Sequence, residues 1–182
     1  MHPRIVGLVG PIRAGKSTVS QILADQFGYK RASNSELLVE ILKGMKIPET
    51  RENLGMLGNS IFQVLGNDTF AHYRLRHLED RPIVVDGIRY IEEVIAYSTS
   101  PDFLLLAIDC EEKERHLRME RASNPLKDGV TKTFQDFQQL STARSEEDVP
   151  EIMRIAHKTI SNNEGIEALR SKVAAAIQRD RP

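Results

Sequence analysis

The chain has 182 residues, of which 40% are hydrophobic and 28% are charged. A chain of this length can bury a core without disulfides or a structural metal, and its composition excludes collagen-like, disordered and low-complexity proteins. The 25 basic and 26 acidic residues give a net charge of −1, so we expect no nucleic-acid partner and only a local anion-binding site.

The features that bear on cellular location point to the cytoplasm. No segment approaches the roughly 20 apolar residues of a membrane span, and the N-terminus lacks the pattern of a signal peptide. The single cysteine, Cys110, cannot form an internal disulfide and is typical of a reducing compartment. We therefore expect a cytoplasmic protein with no membrane partner.

Apolar runs that alternate with segments of helical periodicity predict the secondary structure. In chain order, the predicted elements are a strand at 4–9, a helix at 17–27, a strand at 29–33, a helix at 35–42, a helical region at 50–78 interrupted near 66–67, a strand at 82–85, a helix at 90–97, a strand at 103–108, helices at 111–121 and 133–143, a strand at 159–160 and a helix at 164–178. Turn signals stand at Asn124-Pro125 and Asp128-Gly129. This alternation predicts a parallel sheet covered by helices on both faces, within one domain spanning 1–182.

The strongest motif, Gly-Pro-Ile-Arg-Ala-Gly-Lys-Ser at 10–17, lies between the first predicted strand and the first predicted helix. It matches the phosphate-binding pattern G-x-x-x-x-G-K-[ST]. The glycines let the backbone wrap around a phosphate chain, and the loop and helix N–H groups bind the anion. The lysine reaches the β- and γ-phosphates, and the serine hydroxyl contacts Mg²⁺. The predicted nucleotide-binding residues are Gly10, Pro11, Ile12, Arg13, Ala14, Gly15, Lys16, Ser17 and Thr18; the alternative is a glycine-rich turn.

A carboxylate suited to the metal side of such a loop follows the strand predicted at 82–85. Asp86 comes after three apolar residues, so we expect it at the carboxyl end of the sheet, where ligands bind in folds of this class. There it could hold a water of the metal or accept a proton from an attacking group. Ser17 and Asp86 are the predicted metal residues, and the alternative for Asp86 is an ordinary Asp-Gly turn.

Further segments resemble one family and occur in its order across nearly the whole chain. They are Thr-Arg-Glu-Asn-Leu at 50–54, Leu-Gly-Asn at 57–59, Val-Asp-Gly-Ile-Arg at 85–89 with Glu93-Val94, an arginine-rich helix at 115–121 and Thr-Ile-Ser-Asn-Asn at 159–163. Together with the loop at 10–17, they resemble the small P-loop nucleotide kinases related to adenylate kinase, deoxynucleoside monophosphate kinase and dephospho-CoA kinase. The resemblance implies an α/β, three-layer P-loop kinase fold with a five-stranded parallel sheet, an acceptor-binding helical region at 34–80 and a lid at 111–150. Relatives often carry an aspartate and an arginine where this chain has Asn34 and Leu37.

The resemblance also implies roles for individual residues. The catalytic residues would be Lys16, Asp86 and two lid arginines, Arg118 and Arg121, whose guanidinium groups offset charge on the transferred phosphoryl group. The acceptor-binding residues would be Asn34, Arg51, Asn53 and Arg89, and Asn162 would lie in the loop on the adenine side. Simpler alternatives are a solvated helix face for Arg118 and Arg121, a surface salt bridge for Arg89 and a helix N-cap for Asn162.

The predicted activity is transfer of the γ-phosphoryl group of ATP, with Mg²⁺, to a small-molecule nucleotide acceptor. The arginines at 51, 89, 118 and 121 favour a (deoxy)nucleoside monophosphate, because an anionic acceptor needs cations to offset its repulsion. The alternatives are a dephospho-CoA kinase, with Asp86 as base near a neutral hydroxyl, and a nucleotide-binding regulatory switch with slow ATP hydrolysis. We expect a monomer or a homodimer.

Overall fold

The computed structural model describes residues 2–121, 134–142 and 146–178. The strands are β1 (Ile5–Val9), β2 (Lys30–Ser33), β3 (Ile83–Asp86), β4 (Phe103–Asp109) and β5 (Lys158–Ser161). The helices, in chain order, are α1 (Lys16–Phe27), α2 (Asn34–Gly44), α3 (Arg51–Leu65), α4 (Thr69–Arg76), α5 (Ile91–Ser98), α6 (Glu112–Arg121), α7 (Phe134–Ser141), α8 (Val149–Arg154) and α9 (Ile166–Ile177).

The strands form one parallel sheet with the order β2-β3-β1-β4-β5. This arrangement confirms the predicted five-stranded parallel sheet. In its register, Asp86 of β3 lies beside Leu8 of β1 on one side and beside Ser33 of β2 on the other. The carboxyl ends of all strands therefore meet at one edge of the sheet, which is where the loop after β1 begins.

The side chains of the central strand β1 alternate between two hydrophobic cores. Val6 and Leu8 belong to the core that α1 and α9 complete. Ile5 and Val9 belong to the core on the other face, which α4, α5 and α8 complete. Because both faces of β1 are covered, every residue of this strand is buried and the strand has no polar alternation.

Local signals in the sequence account for several helix ends. Helix α1 ends at Gly28, whose φ of 73° lies in the left-handed region that glycine adopts without strain. Helix α2 begins with a capping box, in which Ser33 Oγ accepts the N–H of Ser35 and the Glu36 carboxylate accepts the N–H of Ser33. Helices α3 and α4 are separated at Gly66, as the interruption predicted near 66–67 indicates.

Helix α8 is absent from the elements predicted from the sequence. It has only six residues, which is too short for a helical period to be recognised, yet it buries Val149 and Ile152 against the sheet. The turn signals at 124–125 and 128–129 lie outside the described residues, as does much of the lid predicted at 111–150. Within the described ranges, no helix is long and apolar enough to cross a membrane.

Candidate functional site

The loop at 10–15 joins the carboxyl end of β1 to the start of α1. Gly10 and Gly15 have φ values of 153° and 104°, which favour glycine. A Cβ atom at Gly10 would collide with the backbone oxygen of Ile108, and one at Gly15 would collide with the side-chain amide of Asn162. Both glycines of the motif are therefore required by the path of the loop between its neighbours.

The N-terminus of α1 provides favourable conditions for an anion. Its N-cap, Gly15, has no side chain to accept the first N–H groups of the helix, and the first turn has no acidic residue. Unpaired N–H groups and the positive end of the helix dipole together attract phosphate. This loop therefore fits a phosphate group.

Lys16 is buried at the centre of the loop. Its Nζ donates to the backbone oxygens of Gly10 at 2.6 Å and Pro11 at 2.9 Å. The pKa of Lys16 is lowered from its ordinary 10.5 to about 7, chiefly by burial and also by the Arg89 guanidinium, against the Glu146 and Asp86 carboxylates, which raise it. The ammonium thus folds onto carbonyl groups of its own loop, close to three charged groups from other parts of the chain.

The donor set at this edge fits Mg²⁺ as the bound metal. Asp86 is the last residue of β3 and is half-buried, and Ser17 lies in the first turn of α1. In the part of the chain that is described, no group of three or more His, Cys, Asp or Glu side chains could hold a metal by itself. Mg²⁺ suits such a site because it takes one or two protein ligands and completes its shell with phosphate and water.

Arg89 follows β3 and pairs with an acidic residue far along the chain. Its Nη1 donates to Oε1 of Glu146, whose residue is only 9% exposed. The backbone N–H groups of Arg89 and Tyr90 both donate to Oε2 of Glu93, at 2.9 and 3.3 Å. Arg89 is therefore held both at its backbone and at its guanidinium.

Glu93 is fully buried in α5 and connects Arg89 to α2 and α4. The amide nitrogen of Asn34 donates to Glu93 Oε1 at 3.2 Å, and Asn34 Oδ1 accepts from Arg74 Nη1 at 2.7 Å. Arg74 also donates to the Tyr97 hydroxyl at 3.3 Å. Burial raises the pKa of Glu93, although the hydrogen bonds that its carboxylate accepts act to lower it. Burial also raises the pKa of Tyr97, to about 12.

The region predicted to bind the acceptor also contains a groove that borders this network at Arg74. The groove has a volume of about 260 Å³ and lies between β2, α2 and α4, with Arg74 among its lining residues. Arg51 is exposed at the start of α3. The Asn53 side chain donates to the backbone oxygen of Pro48 at 2.8 Å, so it holds the turn before α3.

Helix α6 and the loop after β5 hold the back of the phosphate loop. Arg118 Nη1 donates to the backbone oxygen of Ala14 at 3.3 Å, and its Nη2 donates to the backbone oxygen of Asn162 at 2.8 Å. The Asn162 side chain also donates to the Ala14 oxygen, at 2.8 Å. Arg115 Nη1 reaches the Ile12 oxygen at 3.3 Å. These side chains hold the shape of the loop through its carbonyl groups.

Four predicted residues remain: Thr18 and Arg121 on the surface, Asn162 behind the loop and Arg13 within it. Arg121 and Thr18 are exposed. Asn162 does not cap the last helix, because the N-cap of α9 is Gly165. Arg13 has a positive φ of 64° within the loop, which makes it a strained position for a residue other than glycine.

Three polar residues of the site were missed by the sequence analysis as functional candidates: Arg74, Glu93 as a buried carboxylate, and Glu146. Glu93 belongs to a segment that resembles the kinases, which was its available signal. Glu146 stands in an acidic run with Glu147 and Asp148, which reads as a solvated surface. Arg74 is one of several basic residues in α4, and nothing in its spacing distinguishes it.

No family model matches the chain, but relatives and solved structures do. A UPF0200 protein from Hyperthermus butylicus is 23% identical over 181 residues, covering 98% of this chain and 95% of the relative. The structure of shikimate kinase from Acinetobacter baumannii in complex with shikimate has a TM-score of 0.57 at 21% identity, covering 96% of this chain and 90% of that chain.

A gluconokinase from Sinorhizobium meliloti is a further structural neighbour. It has a TM-score of 0.57 at 15% identity, covering 97% of this chain and 92% of that chain. Likeness at such identities demonstrates a common fold over almost the whole chain. The chain therefore has the fold of the small P-loop kinases, as the resemblance of its motifs implies.

Proposed function

We propose that the protein is a kinase that transfers the γ-phosphoryl group of ATP, with Mg²⁺, to a small-molecule acceptor. The observation that carries this proposal is the meeting of three features at one sheet edge: the phosphate loop with its buried Lys16, the carboxylate of Asp86, and the guanidinium of Arg89. Kinases are also among the structural neighbours. The predicted roles of the site residues remain predictions within this proposal.

Each group of residues at the site has its own role in phosphoryl transfer. The N–H groups of the loop and of α1 bind the phosphates, and the Lys16 ammonium leaves the Gly10 and Pro11 oxygens to meet the β- and γ-phosphates. Ser17 and Asp86 would hold Mg²⁺, which would supply positive charge to offset that of the phosphates. Arg118 lies against the loop at Ala14, from where it supports the loop that carries the phosphates.

Two acceptor classes are candidates: a (deoxy)nucleoside monophosphate and an acceptor with a neutral hydroxyl, such as dephospho-CoA. In the sequence, the four arginines at 51, 89, 118 and 121 favour the monophosphate. Arg51 and Arg121 are exposed on α3 and α6, and Arg118 binds the loop backbone. Arg89 is paired with Glu146. This distribution favours the hydroxyl, for which Asp86 is the available base.

A steady-state assay decides between these acceptors. Purified protein with ATP and Mg²⁺ would be supplied in turn with each ribo- and deoxyribonucleoside monophosphate and with dephospho-CoA, and both ADP and the phosphorylated product would be measured. We expect ADP to form in proportion to one phosphorylated acceptor. Slow ADP formation that no acceptor accelerates would contradict the kinase and support the nucleotide-binding switch. Cytoplasmic location and the monomeric or homodimeric state stay predictions.

A further inference from the structure

Glu146 is a buried carboxylate at the candidate site with no role assigned so far. Its residue is 9% exposed, it accepts a hydrogen bond from Arg89 Nη1, and its charge acts on the Lys16 ammonium. A carboxylate is costly to bury, and pairing with a guanidinium offsets that cost. Glu146 therefore belongs electrostatically to the site, although it precedes α8 and lies far from the motifs in the sequence.

The pairing changes what Arg89 can do for an acceptor. Asp86, Arg89 and Glu146 are three of the charged residues that act on Lys16, and together they are called the acceptor edge. Arg115 also acts on Lys16, but it is engaged with the backbone oxygens of Ile12 and Cys110. The acceptor edge thus holds two carboxylates and one guanidinium, and Glu146 already offsets the charge of that guanidinium.

A phosphate monoester and a hydroxyl would meet this edge differently. A phosphate dianion would meet a guanidinium whose charge Glu146 already offsets, and the buried carboxylate would repel it. Separating Arg89 from Glu146 would instead leave that carboxylate without a partner, which is strongly unfavourable. A hydroxyl group is neutral and donates a hydrogen bond that a carboxylate accepts. The charge arrangement therefore discriminates between the two acceptor classes.

We infer that Glu146 determines acceptor specificity: by pairing with Arg89, it makes the site accept a neutral hydroxyl and reject a phosphate monoester. This inference rests on the proposed function. In the reaction, the hydroxyl oxygen forms a bond to the γ-phosphorus, and the bond from that phosphorus to the β,γ-bridging oxygen breaks. ADP leaves with the electron pair of the broken bond, and the hydroxyl proton passes to the Asp86 carboxylate and then to solvent.

The test compares Glu146→Gln with the matched control Glu147→Gln, which makes the same change at the exposed neighbouring residue. Each protein is saturated with Mg²⁺ and a non-hydrolysable ATP analogue, and AMP is titrated calorimetrically as a monophosphate probe. We expect Glu146→Gln to bind AMP at least about tenfold more tightly than the wild type, because a released guanidinium forms charge-assisted hydrogen bonds with phosphate. Glu147→Gln should bind AMP as the wild type does.

Two further variants assign the effect to the ion pair. Glu146→Gln combined with Arg89→Ala should lose the gain in AMP affinity, because the gain depends on the released guanidinium. Glu146→Asp keeps the charge on a shorter side chain that pairs less well with Arg89, so we expect its AMP affinity to lie between those of the wild type and Glu146→Gln. If Glu146→Gln does not fold, Glu146→Asp replaces it in the test. A merely structural ion pair would lower thermal stability without raising AMP affinity.

Acceptor assays complete the experiment. With ATP and Mg²⁺, the wild type should phosphorylate a hydroxyl acceptor from a panel of dephospho-CoA, shikimate and gluconate, and should leave nucleoside monophosphates unchanged. Efficient phosphorylation of a monophosphate by the wild type, or an unchanged AMP affinity in both Glu146 variants, would overturn this inference alone. If the wild type does not bind the ATP analogue, both the proposed function and this inference are overturned.

Discussion

At the scale of single residues, burial of Lys16 makes its charged form only marginally stable at neutral pH. Water is largely excluded from its ammonium, and two backbone oxygens replace the lost hydration. With a pKa of about 7, the lysine changes its charge near neutral pH. An incoming phosphate would stabilise the protonated form, so binding of the nucleotide and binding of a proton are coupled.

Replacing Lys16 with Met should abolish transfer and leave the fold intact. Turnover should fall on the order of 10²–10³-fold, as for other lost electrostatic contacts to a transition state. The melting temperature should not fall, because the substitution removes a buried charge. Steady-state kinetics and thermal unfolding would measure both effects, with exposed Lys113→Met as the control. Near wild-type turnover in Lys16→Met would contradict the assignment of the loop.

Proton uptake gives an independent measurement on the same lysine. At about pH 8 the free protein carries Lys16 mainly in its neutral form, since its pKa is about 7, and a bound phosphate chain should raise that pKa. Binding of Mg²⁺ with the non-hydrolysable ATP analogue should therefore take up close to one proton. Calorimetric titrations in buffers with different ionisation enthalpies would measure the uptake. Lys16→Met should show none, and proton release by the wild type would disagree with this account.

Asp86 should affect turnover more than nucleotide binding. Asp86→Asn keeps the size of the side chain and removes the charge that faces Mg²⁺, so kcat should fall far more than ATP affinity. Asp109→Asn is the matched control, because Asp109 also ends a strand at this edge, next to Ser161 of β5, and is exposed. Equal losses of kcat and ATP affinity in Asp86→Asn would instead assign Asp86 a structural role in its turn.

At the scale of elements, the phosphate loop depends on its neighbours for its shape. Its own internal support includes a hydrogen bond from the Ala14 N–H to the Pro11 oxygen at 3.1 Å. Helix α6 adds contacts from Arg115 and Arg118, and the segment after β5 adds Asn162. The loop is therefore held from elements that follow it by roughly a hundred residues or more.

Asn162→Ala tests this support. The substitution removes the hydrogen bond to the Ala14 oxygen and opens space beside Gly15. A buried hydrogen bond contributes about 1 kcal/mol, so ATP affinity should fall about fivefold while kcat at saturating ATP changes less. The control is Asn163→Ala, whose exposed side chain accepts the N–H of Glu111 instead. Equal ATP affinity in the two variants would show that Asn162 does not hold the loop.

At the scale of the whole molecule, a buried polar network joins α2, α4 and α5 to the backbone that follows β3. Glu93 of α5 binds the backbone after β3 and Asn34 of α2, and Asn34 in turn binds Arg74 of α4. Glu93 and Arg74 are both buried, so each depends on its partners for compensation. The position of the network makes the orientation of Arg89 dependent on α2 and α4.

Removal of Glu93 should therefore reduce both stability and acceptor binding. Glu93→Ala leaves two backbone N–H groups and the Asn34 amide without their acceptor, and it removes the carboxylate whose charge acts on buried Arg74. The free energy of unfolding should therefore fall by about 3–5 kcal/mol. Glu92→Ala on the exposed face of the same helix should change it little. Denaturant unfolding would measure both, and KM for the acceptor should rise in Glu93→Ala if it remains folded. If Glu93→Ala lowers the free energy of unfolding no more than Glu92→Ala does, Glu93 does not hold this network together.

The sequence by itself determined those features that depend on near neighbours in the chain. Buried strands are continuous apolar runs, glycines mark helix ends such as Gly28, and the loop motif has a fixed spacing of eight residues, 10–17. Alternation of strands and helices then restricts the sheet to a parallel one. These properties are local, so the fold class, the position of the loop between β1 and α1 and the place of Asp86 at the end of β3 were all predicted correctly.

Only the tertiary structure decided which polar groups meet. Arg89 pairs with Glu146 across 57 positions of the chain, and Asn162 reaches Ala14 across 148. Charged side chains carry no periodic signal that identifies a partner, and an acidic residue such as Glu146 has the same local sequence whether it is solvated or buried. The partner depends on which strand ends and loops come together at one edge of the sheet, and that is a property of the packed chain.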